Sequence, residues 1–141
     1  ADLKAIDVAE NGIVIDHIAC GKAMQIYSML SLDDLDCPVA ILKNVPSNKM
    51  GKKDIIKIDA DIPINFDVIG YVDPGATVNI IRGGEMVEKR NIDMPKTLTN
   101  VIKCKNPRCI TFTEQELDQI FKLTDAENEV YRCLYCETKA N

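Results

Sequence analysis

The sequence predicts an α+β protein in two parts: an antiparallel sheet with two helices on one face, then a small β module built around a metal ion. Three observations lead there. The first 92 residues are rich in isoleucine and valine and read as strand, helix, strand, strand, helix, strand, strand. Few successive strands are separated by the long helical crossovers of a parallel sheet, so an antiparallel sheet covered on one face fits best. Four of the six cysteines (Cys104, Cys109, Cys133 and Cys136) crowd into the last 38 residues as two tight pairs.

The elements follow in order. Ile13-Val14-Ile15-Asp16-His17-Ile18 is a β-branched strand. From Gly21 to Leu32, the residues Met24, Tyr27, Met29, Leu30 and Leu32 mark one helical face. Pro38 to Leu42 is a second strand, and the run from Asn44 to Gly51 reads as a turn-rich loop. Asp54 to Ile58 is a third strand. A short helix fits Phe66–Val72, stopped by Asp73-Pro74-Gly75. Ala76–Arg82 and Met86–Arg90 form a hairpin about Gly83-Gly84. Residues 91–98, with Pro95 inside, are the linker, which divides the chain into domains at 1–94 and 95–141. In the second domain, Thr113-Glu-Gln-Glu116 matches a helix capping box backed by Leu117, Ile120 and Phe121. A hairpin between the cysteine pairs competes with that helix.

Composition bounds the function. With 46% apolar and 28% charged residues the chain is globular. No apolar run approaches the roughly 20 residues of a membrane span. The mixed N-terminus (Asp2, Lys4, Asp7, Glu10) does not read as a signal peptide, so a cytoplasmic protein is expected. The net charge of −5 opposes duplex binding, which rests on phosphate neutralisation.

The cysteine pattern is Cys-x4-Cys, 23 residues, Cys-x2-Cys. Two such knuckles supply four thiolates in a tetrahedron, the closed structural site that zinc prefers. A segment of about 43 residues buries little surface, and the metal is its staple. Iron of the rubredoxin kind is the rival ion, disfavoured by a first knuckle that is long and lacks glycine. Cys20 and Cys37, isolated among apolar neighbours, read as small hydrophobes.

Two basic clusters stand out in an acidic chain. Lys43, Lys49, Lys52, Lys53 and Lys57 accompany one acid, Asp54, and Arg82, Lys89 and Arg90 follow. A phosphate-bearing ligand fits them, as does a solvated lysine-rich loop. Lys53 and Lys57 share a strand face. His17, the only histidine, lies beside Asp16. No matching nucleophile, glycine-rich phosphate loop or paired carboxylates accompany it, so no catalytic residue is assigned.

Four motifs then resemble one family, the aspartate carbamoyltransferase regulatory chain. They are Gly12-Ile-Val-Ile-Asp-His-Ile18, Asn44-x-Pro-Ser-x-x-Met-Gly-x-Lys-Asp-x-Ile-Lys-Ile58, Ala76-Thr-Val-Asn79, and the Cys-x4-Cys/Cys-x2-Cys-Glu ending. The resemblance spans about residues 3 to 137. It implies a ferredoxin-like nucleotide-binding allosteric domain and a C-terminal zinc domain that docks on the catalytic chain. It implies no catalytic activity, binding of CTP, ATP and UTP, a regulatory homodimer, and dimers that bridge catalytic trimers in pyrimidine biosynthesis. Carried over by motif, the nucleotide site comprises Val14, Asp16, His17, Lys57, Asn79, Ile81 and Lys89, with Lys53 beside it. Asn106 and Glu137 match positions that touch the catalytic chain. One extra residue before Gly12 maps the base-contacting backbone to Val8 or Ala9. A familiar hairpin aromatic falls near Gly84, the segment after Lys57 is shorter, and Arg108 stands where the family has an asparagine.

Two other classes are weighed beside it. A nucleic-acid-associated zinc ribbon would want a basic face, yet residues 101–141 hold six Lys/Arg and seven Asp/Glu. A rubredoxin-like electron carrier would be coloured by ferric thiolate.

Overall fold

A computed structural model describes residues 11–140. The chain divides into two compact units between Asp93 and Met94.

The first unit runs β1 (Gly12–Ala19), α1 (Ala23–Met29), β2 (Val39–Ser47), β3 (Gly51–Ile58), α2 (Phe66–Val72), β4 (Thr77–Arg82) and β5 (Glu85–Asn91). Its sheet has the order β2-β3-β1-β4-β5, and every pairing is antiparallel. The connections from β1 to β2 through α1, and from β3 to β4 through α2, each skip one strand. Interleaving them gives the β4-β1-β3-β2 order of a ferredoxin-like sheet, which β5 extends as a hairpin.

Strand alternation builds the core. Ile13, Ile15, Ile56, Ile58 and Val78 point to one face, where Ala23 and Ile26 of α1 and Ile69 and Val72 of α2 cover them. The apolar residues of each helix stand three apart, so each short helix buries one stripe. Asn65 caps α2, its side chain accepting from the Asp67 N–H at 3.0 Å.

Two bulges flank β3. Between Ile15 and Ile18, β1 carries one residue more than its partner, and His17 takes φ 57°. Between Leu42 and Val45, β2 does the same, with Asn44 at φ 60°. Asp54 of β3 lies between them with no exposure. Its carboxylate accepts the Gly21 N–H at 3.0 Å and the Asn44 N–H at 3.1 Å. A polar group this buried requires such partners. It ties the β2 bulge to the turn that leads into α1.

The elements depart from the sequence expectation in two places. The first helix spans 23–29 rather than 21–32, because Ser31 turns left-handed (φ 55°) and a 3-10 turn follows at Leu32–Asp34. The loop expected over 44–51 is largely strand, with Val45 opposite Lys53 and Pro46 opposite Lys52. Pro46 lacks an N–H, but β2 is the sheet edge, where a missing donor is tolerated.

The second unit holds β6 (Thr97–Thr99), a 3-10 turn (Ile110–Phe112), β7 (Ile120–Asp125) and β8 (Val130–Cys133), with sheet order β6-β7-β8. Leu98, Phe121 and Tyr131 form its small core, at 0%, 1% and 2% exposure. The competing helix at the capping box does not form. The Thr113 hydroxyl donates backward to the Ile110 carbonyl at 3.1 Å, and Leu117 is exposed. The hairpin is the outcome.

Asp54→Ala removes the acceptor shared by the Gly21 and Asn44 N–H groups and lowers unfolding free energy by about 2 kcal/mol. Urea denaturation measures it, and a loss below about 0.5 kcal/mol would contradict the bulge-pinning role.

Candidate functional site

The second unit gathers four sulfurs. The first knuckle turns tightly, the Cys109 N–H donating to the Asn106 carbonyl at 2.9 Å and the Arg108 N–H to Asn106 Oδ1 at 3.0 Å. Gln119, just before β7, accepts the Cys104 N–H through Oε1 at 2.9 Å. The second knuckle leaves the end of β8. There the Glu137 N–H donates to the Cys133 carbonyl at 2.9 Å, and Glu137 takes φ 66°. Cys104 and Cys136 Sγ are 3.5 Å apart, Cys109 and Cys133 Sγ 3.7 Å, and all four lie within 4.8 Å of one another. A tetrahedral ion with metal–sulfur bonds near 2.3 Å would space its sulfurs by about 3.8 Å. The cluster therefore fits one four-coordinate ion, held with no fifth position for a reacting water.

The four thiols are electrostatically unlike. Burial pushes Cys104 up to about 12 and raises Cys133. Cys136 falls to about 6, chiefly through the Thr138 hydroxyl, and the Thr111 hydroxyl lowers Cys109. Thr111 and Thr138 each stand two residues after a ligand, a Cys-x-Thr repeat whose role only the folded knuckles reveal.

The first unit brings a second set of residues together. On the sheet face opposite the helices, Lys57 pairs with Val14, Val14 with Asn79, and Asn79 with Lys89. The four residues form one cross-strand row over β3, β1, β4 and β5. Ile81, one step along β4, lies opposite Gly12 and Met86. Asp16, one step the other way, pairs with Thr77 and makes a 3.0 Å ion pair with Lys53, both side chains 14% exposed. The β1 bulge lets His17 lean toward the same strand, Nδ1 lying 3.0 Å from the Thr77 hydroxyl. Lys57 is buried at 6% exposure, whereas Lys89 is exposed. Asn79 Oδ1 is buried without a hydrogen-bond partner among the described residues. Thr77 was not anticipated, since only the register reveals its place. Val8 and Ala9 lie outside the described residues.

None of these residues lines the cavity of about 380 Å³ on the helix side of this sheet. That cavity is floored by Ile13, Val78 and Ile80, and Arg90 covers Phe66 there at 4.2 Å from the ring centre. Asn106 and Glu137 both sit at the metal knuckles. Ile110, Phe112, Leu134 and Tyr135, all within three residues of a ligand cysteine in sequence, are exposed at 49%, 47%, 41% and 38%.

The thiol asymmetry sets a pH dependence. At pH 7 Cys104 and Cys133 carry protons, so loading a divalent ion expels at least about two protons. Affinity therefore rises with pH and is lost as protons compete for the sulfurs on acidification. Calorimetry in buffers of different ionisation enthalpy counts the protons, and a pH-independent affinity between 6 and 8 would contradict the four-thiolate site.

Comparison with known proteins gives the family. Residues 4–93 match the family described as aspartate carbamoyltransferase regulatory chain, allosteric domain, and residues 96–141 match its metal binding domain. Curated relatives named aspartate carbamoyltransferase regulatory chain include one from Clostridium botulinum, 47% identical over 132 residues (94% of this chain, 90% of that protein). One from Clostridium tetani is 46% identical over 129 residues (91% and 90%), and one from Bifidobacterium longum is 41% identical over 131 residues (93% and 94%). The matches favour neither the nucleic-acid ribbon nor the electron carrier. No helix among the described residues is long and apolar enough to cross a membrane. A ferredoxin-like sheet joined to a four-cysteine metal-binding unit, with relatives this similar along nearly the whole chain, places the protein in the aspartate carbamoyltransferase regulatory chain family, as a non-catalytic chain with an allosteric and a metal-binding domain.

Proposed function

We propose that this chain binds CTP and ATP, and UTP beside CTP, on the helix-free face of its first unit, and links catalytic trimers through its second. Residues 1–94 act as the nucleotide-binding domain and 95–141 as the zinc domain that contacts the catalytic chain. The observation that carries the reading is Asn79 Oδ1, a buried acceptor without a partner among the described residues, standing between Val14 and Lys89 in one row. A buried acceptor costs free energy until a donor meets it, and a nucleoside supplies amino and hydroxyl donors. Lys89, exposed at the end of the row, suits a polyphosphate. Asp16 and Lys57 read base and ribose groups, with Val14 and Ile81 as apolar contacts and His17 at the margin.

The ion is zinc, one per chain. A closed tetrathiolate suits it, and its role is structural: zinc binding contributes on the order of 10 kcal/mol to folding of such a module. Asn106 and Glu137, flanked by the exposed apolar residues at the knuckles, contact the catalytic chain. The regulatory homodimer forms through β2, an edge strand whose outer rim can pair with a second copy. The complex works in the cytoplasm, with no nucleic-acid or membrane partner. Ligand and active site lie in different chains, so the nucleotide must bind two assembly states unequally, with a coupling free energy of typically about 1–3 kcal/mol.

Two experiments test the reading. CTP titrated calorimetrically into the isolated chain binds with an affinity that falls as salt rises. Lys57→Ala and Lys89→Ala each weaken it by about 1–3 kcal/mol; full binding in both variants would move the site elsewhere. Separately, Cys109→Ala abolishes association with catalytic trimers while nucleotide binding persists. Normal assembly of that variant would remove the zinc unit from the docking role.

A further inference from the structure

A divalent ion on four thiolates carries a net charge of −2, and here three of the four sulfurs belong to buried residues. Charge so confined requires hydrogen-bond donors around it. Thr111 is 4% exposed, and its hydroxyl donates to Cys109 Sγ at 3.2 Å. Thr138 Oγ1 lies 3.3 Å from Cys136 Sγ and accepts from Asn106 Nδ2 at 3.2 Å. The Asn106 amide is oriented by its other end, since Oδ1 already takes the Arg108 N–H.

In the thiol form, Cys136 donates its proton to Thr138. When a metal replaces that proton, the sulfur becomes an acceptor and the contact must reverse. The hydroxyl can then donate, because its oxygen is already served by Asn106. The result is a directed chain, Asn106 to Thr138 to Cys136, that runs from the first knuckle to the second. Thr111 does the same for Cys109 without an intermediary.

We propose that Thr111 and Thr138, the latter aimed by Asn106, are positioning residues that retain the metal by donating hydrogen bonds to its thiolates. This rests on the metal-centre reading above. It gives Asn106 an inward task, with both ends of its amide engaged within the unit. It also gives the two Cys-x-Thr steps a common purpose, one donor for each knuckle. Valine has the shape of threonine without the donor, and serine keeps the donor without the methyl, so the pair of replacements isolates the hydroxyl.

The test loads the full chain with Co²⁺, whose thiolate-to-metal charge-transfer band reports electron density on sulfur, and then follows Zn²⁺ release from the zinc-loaded chain to a chromogenic chelator. Thr111→Val and Thr138→Val each move the band to longer wavelength and release Zn²⁺ about tenfold faster. Thr111→Ser and Thr138→Ser keep the band and rate of the unchanged protein, and Asn106→Ala falls between it and Thr138→Val. An unmoved band and unaltered release in the valine variants would overturn the proposal while leaving the metal centre intact. Failure of the unchanged chain to bind Co²⁺ or Zn²⁺ would overturn the metal reading itself. Thr138 is partly exposed, so Thr138→Val decides the matter if the buried Thr111→Val does not fold.

Discussion

Strand β1 is the constraint on which the first unit depends. It is paired along both edges, to β3 and to β4, and its side chains are committed on both faces. Ile13 and Ile15 on one face hold the two helices, while Val14 and Asp16 on the other define the middle of the proposed ligand face. A one-residue slip of β1 would exchange those faces and bury an aspartate under the helices. The bulge after Ile15 works within this constraint. It admits His17 without disturbing Ile18, which returns to the core at 0% exposure.

The second unit solves a different problem. Leu98, Phe121 and Tyr131 are too few to hold a 48-residue segment by burial alone, and the four-cysteine cluster does the rest. Its knuckles begin and end on ordered elements: Gln119 beside β7 receives Cys104, and β8 delivers Cys133 directly. The same geometry leaves apolar side chains exposed beside the ligands. The folded metal unit and the proposed docking surface are therefore one structure, and losing the ion would remove both.

Much of this was legible in the sequence, for physical reasons that can be named. The second helix was found at its full extent, Phe66 to Val72, because Asp73-Pro74-Gly75 punctuates it. The Gly83-Gly84 hairpin followed from two residues that accept positive φ, 61° and 79°. Cysteine spacing identified the metal quartet because chelation needs short turns. What was not legible was register. Lys57, Asn79 and Lys89 are far apart in sequence, and only antiparallel pairing through Val14 aligns them. The bulges at His17 and Asn44 were equally hidden, since each depends on a buried carboxylate or a partner strand rather than on local propensity. The capping box at Thr113 left helix and hairpin open. Its local pattern is sound, but the hairpin that closes the metal site won over it.

The central claim is that a nucleotide contacts the sheet face through which Val14 aligns Lys57, Asn79 and Lys89. Backbone amide chemical shifts followed by NMR during a CTP titration locate the contact directly. The account predicts that the largest shifts fall on Val14, Asp16, Lys57, Asn79 and Lys89, with those around Phe66 and Ile69 on the helix side small. Shifts concentrated on α2 and the 59–65 segment, with the row unmoved, would contradict it.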